Sequence, residues 1–218
     1  MNIEQARFNM IEQQLRPAGV CAQEVLDLFT VVRREHFVPP AFANLAFADI
    51  EIPLPCGENM LTPLCEARIL QAVAVKSHEN VLEIGAGSGY MAALLAHRAR
   101  HVHTVEIEPA LKELAEKNLA DYGVANVEVA LGDGAQGWCD AGDSHDIIVI
   151  SGALPALPES FLKQIKIGGR IAAFIGTAPV MSALLVTRIS DSDYETTTLF
   201  DTCIKPLRQV RPLPLFRL

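Results

Sequence analysis

Three glycines at alternate positions follow a short apolar segment and are suited to holding a nucleotide-like ligand. Residues 81–84 are typical of a buried parallel strand, and Gly85, Gly87 and Gly89 come directly after them. Glycine allows the backbone to turn sharply and to approach a ligand without a Cβ in the way. From Tyr90 the residues are strong helix formers, so free amide groups at a helix start should face the ligand.

The spacing of these glycines separates two classes of cofactor. The dinucleotide fingerprint G-x-G-x-x-G would require glycine at position 90, where this chain has Tyr90. The pattern E-x-G-x-G-x-G, which begins at Glu83, instead resembles motif I of the class I S-adenosylmethionine (SAM) methyltransferases. A glycine triplet is a weak signal by itself, and a plain strand-to-helix turn is the alternative.

Acidic residues at the ends of the next two predicted strands add to this signal. Glu106 lies about 20 positions after Gly85, which is the separation that places a carboxylate beside the ribose hydroxyls in a doubly wound sheet. Asp133 and Gly134 follow the third strand at the same edge, where Asp133 is suited to accept from an adenine amino group. We therefore predict cofactor binding by the glycine turn together with these residues.

Composition limits the classes of function. The chain has 218 residues, 50% of them hydrophobic and 20% charged, with a net charge of −8. A globular α/β protein is expected, and the charge argues against broad binding to nucleic acid. Charged residues throughout the first 20 positions argue against a signal peptide, and no apolar run is long enough to span a bilayer, so no membrane partner and a cytoplasmic location are expected.

No metal site is predicted. The cysteines are odd in number, widely spaced and never form C-x-x-C: Cys21, Cys56, Cys65, Cys139 and Cys203. His101 and His103 lack a third ligand at a metal-site spacing.

Strands and helices alternate from about residue 79, which predicts a mostly parallel sheet with right-handed crossovers. The fold class is α/β, doubly wound and Rossmann-like, with N-terminal helices and two antiparallel strands at the C-terminal edge. We expect a single domain in which residues 1–78 form a helical and lid segment on a core of residues 79–218.

Local patterns give more detail for the N-terminal segment. A helix is predicted over residues 1–18, with Phe8, Ile11 and Leu15 as its apolar stripe. Residues 49–63 contain three prolines and should form a loop. Thr62 is predicted to cap the next helix, with Glu66 completing a capping box.

Several segments resemble the protein-L-isoaspartate O-methyltransferase family in the order in which that family has them. They are MIEQQLRPAGV, EHFVPP, FADIEIPLP, VLEIGAGSGY, VEIEP, GDGAQGW and HDIIVISGALPALPESFLKQIKIGGRI, and IKPL near the C-terminus is similar to the family's Val-Pro-Leu. The resemblance implies a class I methyltransferase fold, SAM as cofactor with S-adenosylhomocysteine as product, and proteins with isoaspartyl residues as substrates.

The sequence departs from the family pattern at two places near the expected active site. The family typically reads Gly-Gln-Thr-Ile-Ser-x-Pro, in which the serine contacts cofactor and substrate, whereas this chain has GENMLTP over residues 57–63. Leu61 takes the serine position, and the nearest hydroxyl is that of Thr62; these two residues are the candidates for the catalytic segment. The family's Ala-Ala after the fourth strand is replaced by Ser151-Gly152-Ala153.

The chemistry implied by the resemblance is in-line displacement at a sulfonium. A carboxylate acceptor is already ionised at neutral pH and needs no general base. Catalysis would therefore rest on positioning of the acceptor and on exclusion of water by a lid that residues 53–62 form. Leu61 would deprive such an acceptor of a donor, so poor isoaspartyl transfer is expected. Two alternatives remain open: a different methyl acceptor, and a SAM-binding sensor or partner module without transfer.

Overall fold

The computed structural model describes residues 2–138 and 144–210. The chain opens with helix α1 (Ile3–Met10), which continues into a π-helical turn over Ile11–Leu15. Ile11 and Leu15 are buried as predicted, but Phe8 is 57% exposed, so the predicted stripe is only partly right. The wider π-helical turn changes the angle between residue 8 and the residues after it, and residues 7 and 10 point inward instead.

Helix α2 (Gln23–Val31) is followed by short 3₁₀ turns over Arg34–His36 and Pro40–Leu45. The predicted loop over residues 49–63 is irregular for most of its length, but it contains an antiparallel pair of two-residue strands, β1 (Ile52–Pro53) and β2 (Asn59–Met60). This pair fixes the course of the segment that leads to Leu61.

Helix α3 (Pro63–Val73) begins as predicted but without the capping box. The Thr62 hydroxyl accepts from the amide of Cys65 at 3.2 Å, which is an N-cap. Glu66 instead turns inward and forms a buried ion pair with Arg34. A charged guanidinium in the interior is a stronger partner for a carboxylate than an amide at the helix start.

The rest of the chain forms a seven-stranded sheet with helices on both faces. Its strands are β3 (Asn80–Ile84), β4 (His101–Glu106), β5 (Val127–Leu131), β6 (His145–Leu154), β7 (Ile165–Thr177), β8 (Val180–Arg188) and β9 (Tyr194–Thr202), in the order β5-β4-β3-β6-β7-β8-β9. The first five are mutually parallel, and β8 and β9 are antiparallel at the edge, which confirms the predicted fold class. The intervening helices are α4 (Tyr90–Ala96), α5 (Pro109–Tyr122) and α6 (Glu159–Gln164).

A glycine pair interrupts the regular pairing of β7 with β6. Gly168 and Gly169 lie within β7, at an irregularity where its pairing with β6 moves from Ile165 opposite His145 to Arg170 opposite Ile147. The extra residues form a bulge, which a glycine pair accommodates without a side chain to place.

Alternating residues of the central strands supply two hydrophobic cores. Val81 and Val149 pack on the face that carries the N-terminal helices, whereas Leu82 and Ile148 pack on the face that carries Phe161 of α6. Within residues 2–138 and 144–210, no helix is long and apolar enough to cross a membrane.

Candidate functional site

A cleft opens at the carboxyl ends of the parallel strands, next to the point where the strand order reverses between β3 and β6. This is where ligands bind in open α/β sheets. A main chamber of about 730 Å³ adjoins a smaller one of about 300 Å³. Residues that line both chambers mark their junction: Asn59, Leu61, Gly85, Gly87 and Ser151.

The glycine turn forms the floor of this junction. Gly85 and Gly87 have φ values of +95° and +54°, a region in which other residues are strained. Gly89, with φ of +83°, starts α4 outside the lining of both chambers, and a Cβ there would lie 3.2 Å from the carbonyl oxygen of Ala115 in α5. The structure therefore gives Gly89 a packing role, and its contribution to cofactor binding stays a prediction.

Glu106 lines the main chamber and also holds the glycine turn in place. One carboxylate oxygen accepts from the Gly87 amide at 2.9 Å, and the other accepts from the Glu108 amide at 3.1 Å. Each carboxylate oxygen has a second lone pair, so the group can still accept from ligand hydroxyls.

Asp133 and Gly134 line the same chamber at the end of β5. Oδ1 of Asp133 accepts from the Ala135 amide at 3.0 Å, and within the described part of the chain Oδ2 has no hydrogen-bond partner. A Cβ on Gly134 would lie 2.7 Å from Cδ1 of Ile84, so this position requires glycine.

Glu83 does not face the main chamber. It is fully buried, and its two oxygens accept from the Thr104 hydroxyl at 2.7 Å and the Ser151 hydroxyl at 3.0 Å. Burial raises the pKa of Glu83 to about 8, although both hydroxyl hydrogen bonds act in the opposite direction. The structure gives this carboxyl group protein partners beside the smaller chamber, and its predicted role as a cofactor ligand stays a prediction.

Leu61 and Thr62 have separate environments. The Leu61 side chain lines the junction of the chambers, and its carbonyl accepts from Nη2 of Arg34 at 2.7 Å. Thr62 lines neither chamber, because its hydroxyl caps α3. The structure thus places an apolar side chain at the junction and the Thr62 hydroxyl outside the lining of both chambers.

A buried ion pair behind this segment was missed by sequence reasoning. Arg34 and Glu66 are almost wholly buried, and the guanidinium also lies 5.1 Å from the centroid of the Tyr90 ring. Burial raises the pKa of Glu66, while Arg34 lowers it. The pair couples the first turn of α3 to the carbonyl of Leu61, and nothing in the local sequence of either residue indicates it.

A C-terminal strap, defined here as residues 203–210, closes one side of the cleft. Lys205 and Leu207 exchange backbone hydrogen bonds of 3.0 Å with Ala153. Arg208 donates to the carboxylates of Glu58 and Glu108, so it joins the β1–β2 loop to the segment after β4. The similarity of IKPL to the family's Val-Pro-Leu was the only sequence signal for this segment.

Three features together define a class I methyltransferase. They are the order of the strands in the sheet, the glycine turn after β3, and the carboxylates at the ends of β4 and β5, which line the same cleft. The chain matches the family described as protein-L-isoaspartate(D-aspartate) O-methyltransferase over residues 6–209. It belongs to that family.

Individual relatives agree with this assignment. The chain is 37% identical over 199 residues to a protein-L-isoaspartate O-methyltransferase of Rhodopseudomonas palustris, which covers 91% of each chain. It is 37% identical over 207 residues to protein-L-isoaspartate O-methyltransferase 2 of Marinobacter nauticus, covering 94% of each. A Plasmodium falciparum protein, solved in complex with S-adenosyl-L-homocysteine and described as a putative protein-L-isoaspartate O-methyltransferase, shares the fold, with a TM-score of 0.79 and 16% identity over 95% of this chain and 99% of that one.

Proposed function

We propose that this chain is a SAM-dependent methyltransferase that methylates the carboxylate of isoaspartyl residues in damaged proteins. The observation that carries the proposal is the family match over residues 6–209, which includes both the glycine turn and the segments around the mouth of the cleft. The cofactor is SAM, and the product is S-adenosylhomocysteine.

The main chamber is assigned to the adenosine part of the cofactor. Glu106 accepts from the ribose hydroxyls, and Asp133 accepts from the adenine amino group through Oδ2, which has no hydrogen-bond partner among the described residues. Gly85, Gly87 and Gly134 allow close approach of the backbone, and the apolar side chains of Val105, Ile107 and Leu111 bound the same chamber.

The reaction breaks the bond between sulfur and methyl as a bond forms between the methyl and a carboxylate oxygen. The products are a methyl ester and the neutral thioether. The acceptor is ionised at neutral pH, so no general base is needed. This chain needs to orient the reacting groups and to exclude water from the site. The Leu61 side chain and the strap residue Leu207 supply apolar cover at the junction.

Residues 1–78 are proposed to serve as the lid of a single domain whose core begins at residue 79. Arg208, bonded to both the β1–β2 loop and Glu108, would hold this lid against the core. The net charge of −8 favours protein acceptors over nucleic acid, and the cytoplasm is the proposed site of action.

Glu106→Ala is expected to weaken SAM and S-adenosylhomocysteine binding by about 1 to 3 kcal/mol, because ribose hydroxyls lose a charged partner and the Gly87 amide loses its acceptor. Isothermal titration calorimetry measures the change. Glu106→Gln, which keeps one acceptor oxygen, should lose less. Equal affinity of Glu106→Ala and wild type would remove Glu106 from the cofactor site.

Incubation with methyl-labelled SAM and an isoaspartyl peptide tests the proposed function. Label released as methanol by mild base identifies a methyl ester and supports carboxyl transfer. Base-stable label would point to a nitrogen or alcohol acceptor. SAM binding without any transfer to the peptide would contradict the proposal and favour another acceptor or a sensor role.

A further inference from the structure

Ser151 has the position of a residue that contacts reacting groups. It follows Ile150 in β6, beside the glycine turn, and lines both chambers of the cleft. A Cβ placed on Gly85 would lie 3.7 Å from Cβ of Ser151, so the side chain stands directly over the turn. Its neighbour Gly152 admits the strap, because a Cβ there would lie 2.6 Å from Cδ2 of Leu207.

The Ser151 hydroxyl belongs to a chain of hydrogen bonds that crosses three strands. Thr104 of β4 lies opposite Glu83 of β3, and Glu83 lies opposite Val149 of β6, two residues before Ser151. Residues two apart in a strand share a face, so the three polar side chains meet on one side of the sheet. Thr104 and Glu83 are fully buried; Glu83 borders only the smaller chamber, whereas Ser151 lines both chambers.

The location of this hydroxyl complements the change at Leu61. Both side chains line the junction of the chambers, one from the loop before α3 and one from the end of β6. The resemblance to the family implies a serine at the position of Leu61, and this chain instead carries a hydroxyl on another wall of the same space, at Ser151.

We propose that Ser151 donates a hydrogen bond to the acceptor carboxylate of the isoaspartyl substrate, with Glu83 and Thr104 as positioning residues that orient its hydroxyl. This inference rests on the proposed function. Ser151 replaces the donor that Leu61 cannot supply, so the chain retains isoaspartyl transfer.

The protonation state of Glu83 decides whether the hydroxyl is free to donate. With its pKa raised to about 8, Glu83 is mainly protonated at neutral pH. The protonated carboxyl group can then donate a hydrogen bond to Oγ of Ser151 while its other oxygen accepts one from Thr104. The Ser151 hydroxyl can therefore donate its own hydrogen bond to the substrate. When Glu83 ionises, Ser151 must donate back to it. The charged groups whose fields act on Glu83 are the carboxylates of Glu106 and Glu66, and both oppose its ionisation.

Ser151→Ala is the first test. We expect kcat/KM for an isoaspartyl peptide to fall about 10- to 150-fold while the dissociation constant for SAM changes by less than about twofold, because only the acceptor loses a charge-assisted hydrogen bond. Ser182→Ala is the matched control, since Ser182 lies in β8 and bonds Asp201 outside the cleft lining. It should leave both quantities unchanged.

Two further variants separate orientation from general packing. Leu61→Ser should restore much of the lost kcat/KM in the Ser151→Ala background, because it returns a hydrogen-bond donor to the junction. Glu83→Gln keeps one donor and one acceptor and does not titrate, so we expect it to remove the fall in kcat/KM that we predict for the wild type above about pH 8. A merely structural role for Glu83 would not change the pH profile.

The affinity of the isoaspartyl peptide for the protein saturated with S-adenosylhomocysteine tests the Ser151 contact without any methyl transfer. If wild type binds the isoaspartyl peptide and Ser151→Ala binds it at least about tenfold more weakly, the contact stands even without transfer. If wild type turns over and Ser151→Ala matches it, the inference is wrong and the proposed function survives. Loss of SAM affinity with unchanged peptide KM would overturn it too, because the hydroxyl would belong to the cofactor site. Failure of wild type to bind the peptide would overturn both.

Discussion

Replacing Arg34 by methionine should lower the free energy of unfolding by about 3 to 5 kcal/mol. Methionine fills much of the volume of the arginine stem, but it leaves the Glu66 carboxylate buried without an opposite charge, which is the costly way to break a buried pair. The Leu61 carbonyl also loses its donor at 2.7 Å. Denaturant unfolding followed by circular dichroism measures the change.

The double variant Arg34→Met with Glu66→Leu is the matched control. Removing both charges avoids the uncompensated carboxylate, so most of the lost stability should return. A single variant that costs less than about 1 kcal/mol would show that the pair is unimportant for stability. A double variant no more stable than the single one would show that the cost does not come from the unpaired Glu66 carboxylate.

The variant Glu83→Gln should gain stability relative to wild type as the pH rises from 5 to 9, by a total on the order of a few kcal/mol. The native state holds the Glu83 proton up to a pKa of about 8, whereas the ordinary value is 4.5. Between these values the native state binds more protons than the unfolded state, so wild-type stability falls as the pH rises and levels off above about 8. Glutamine does not titrate and mimics the protonated form.

Measuring unfolding of both proteins in urea at several pH values tests this. The difference between the two free energies is the useful quantity, since the contribution of Glu66 is present in both proteins and largely cancels. A difference that stays constant from pH 5 to 9 would mean that Glu83 is ionised in the native state at neutral pH. The proposed donation from Ser151 would then lose its support.

Much of the lining of the main chamber could be predicted from the sequence, because it depends on short-range patterns. A strand followed by alternate glycines, and acids at successive strand ends, place Gly85, Glu106 and Asp133 at one edge through the topology alone. The cap at Thr62 was predictable for the same reason. Glu83 shows where this reasoning stops, since alternation in β3 turns its side chain to the opposite face from Ile84.

The features that sequence reasoning missed join residues far apart in the chain. Arg34 and Glu66 are 32 positions apart, and Arg208 and Glu58 are 150 apart, so neither pair leaves a local signal. The hydroxyl of Ser151 could be noticed as a departure from the family pattern. Its link to Glu83, 68 positions away, became visible only when β3 and β6 were seen side by side.

The central claim is that the acceptor is the isoaspartyl carboxylate, and a pair of peptides tests it most directly. The two peptides have the same sequence and differ only in one residue, which is isoaspartyl in one and aspartyl in the other. Mass spectrometry after incubation with SAM should show one added methyl group on the isoaspartyl residue and none on the aspartyl peptide. Equal methylation of both peptides, or of neither by protein that binds SAM, would contradict the account.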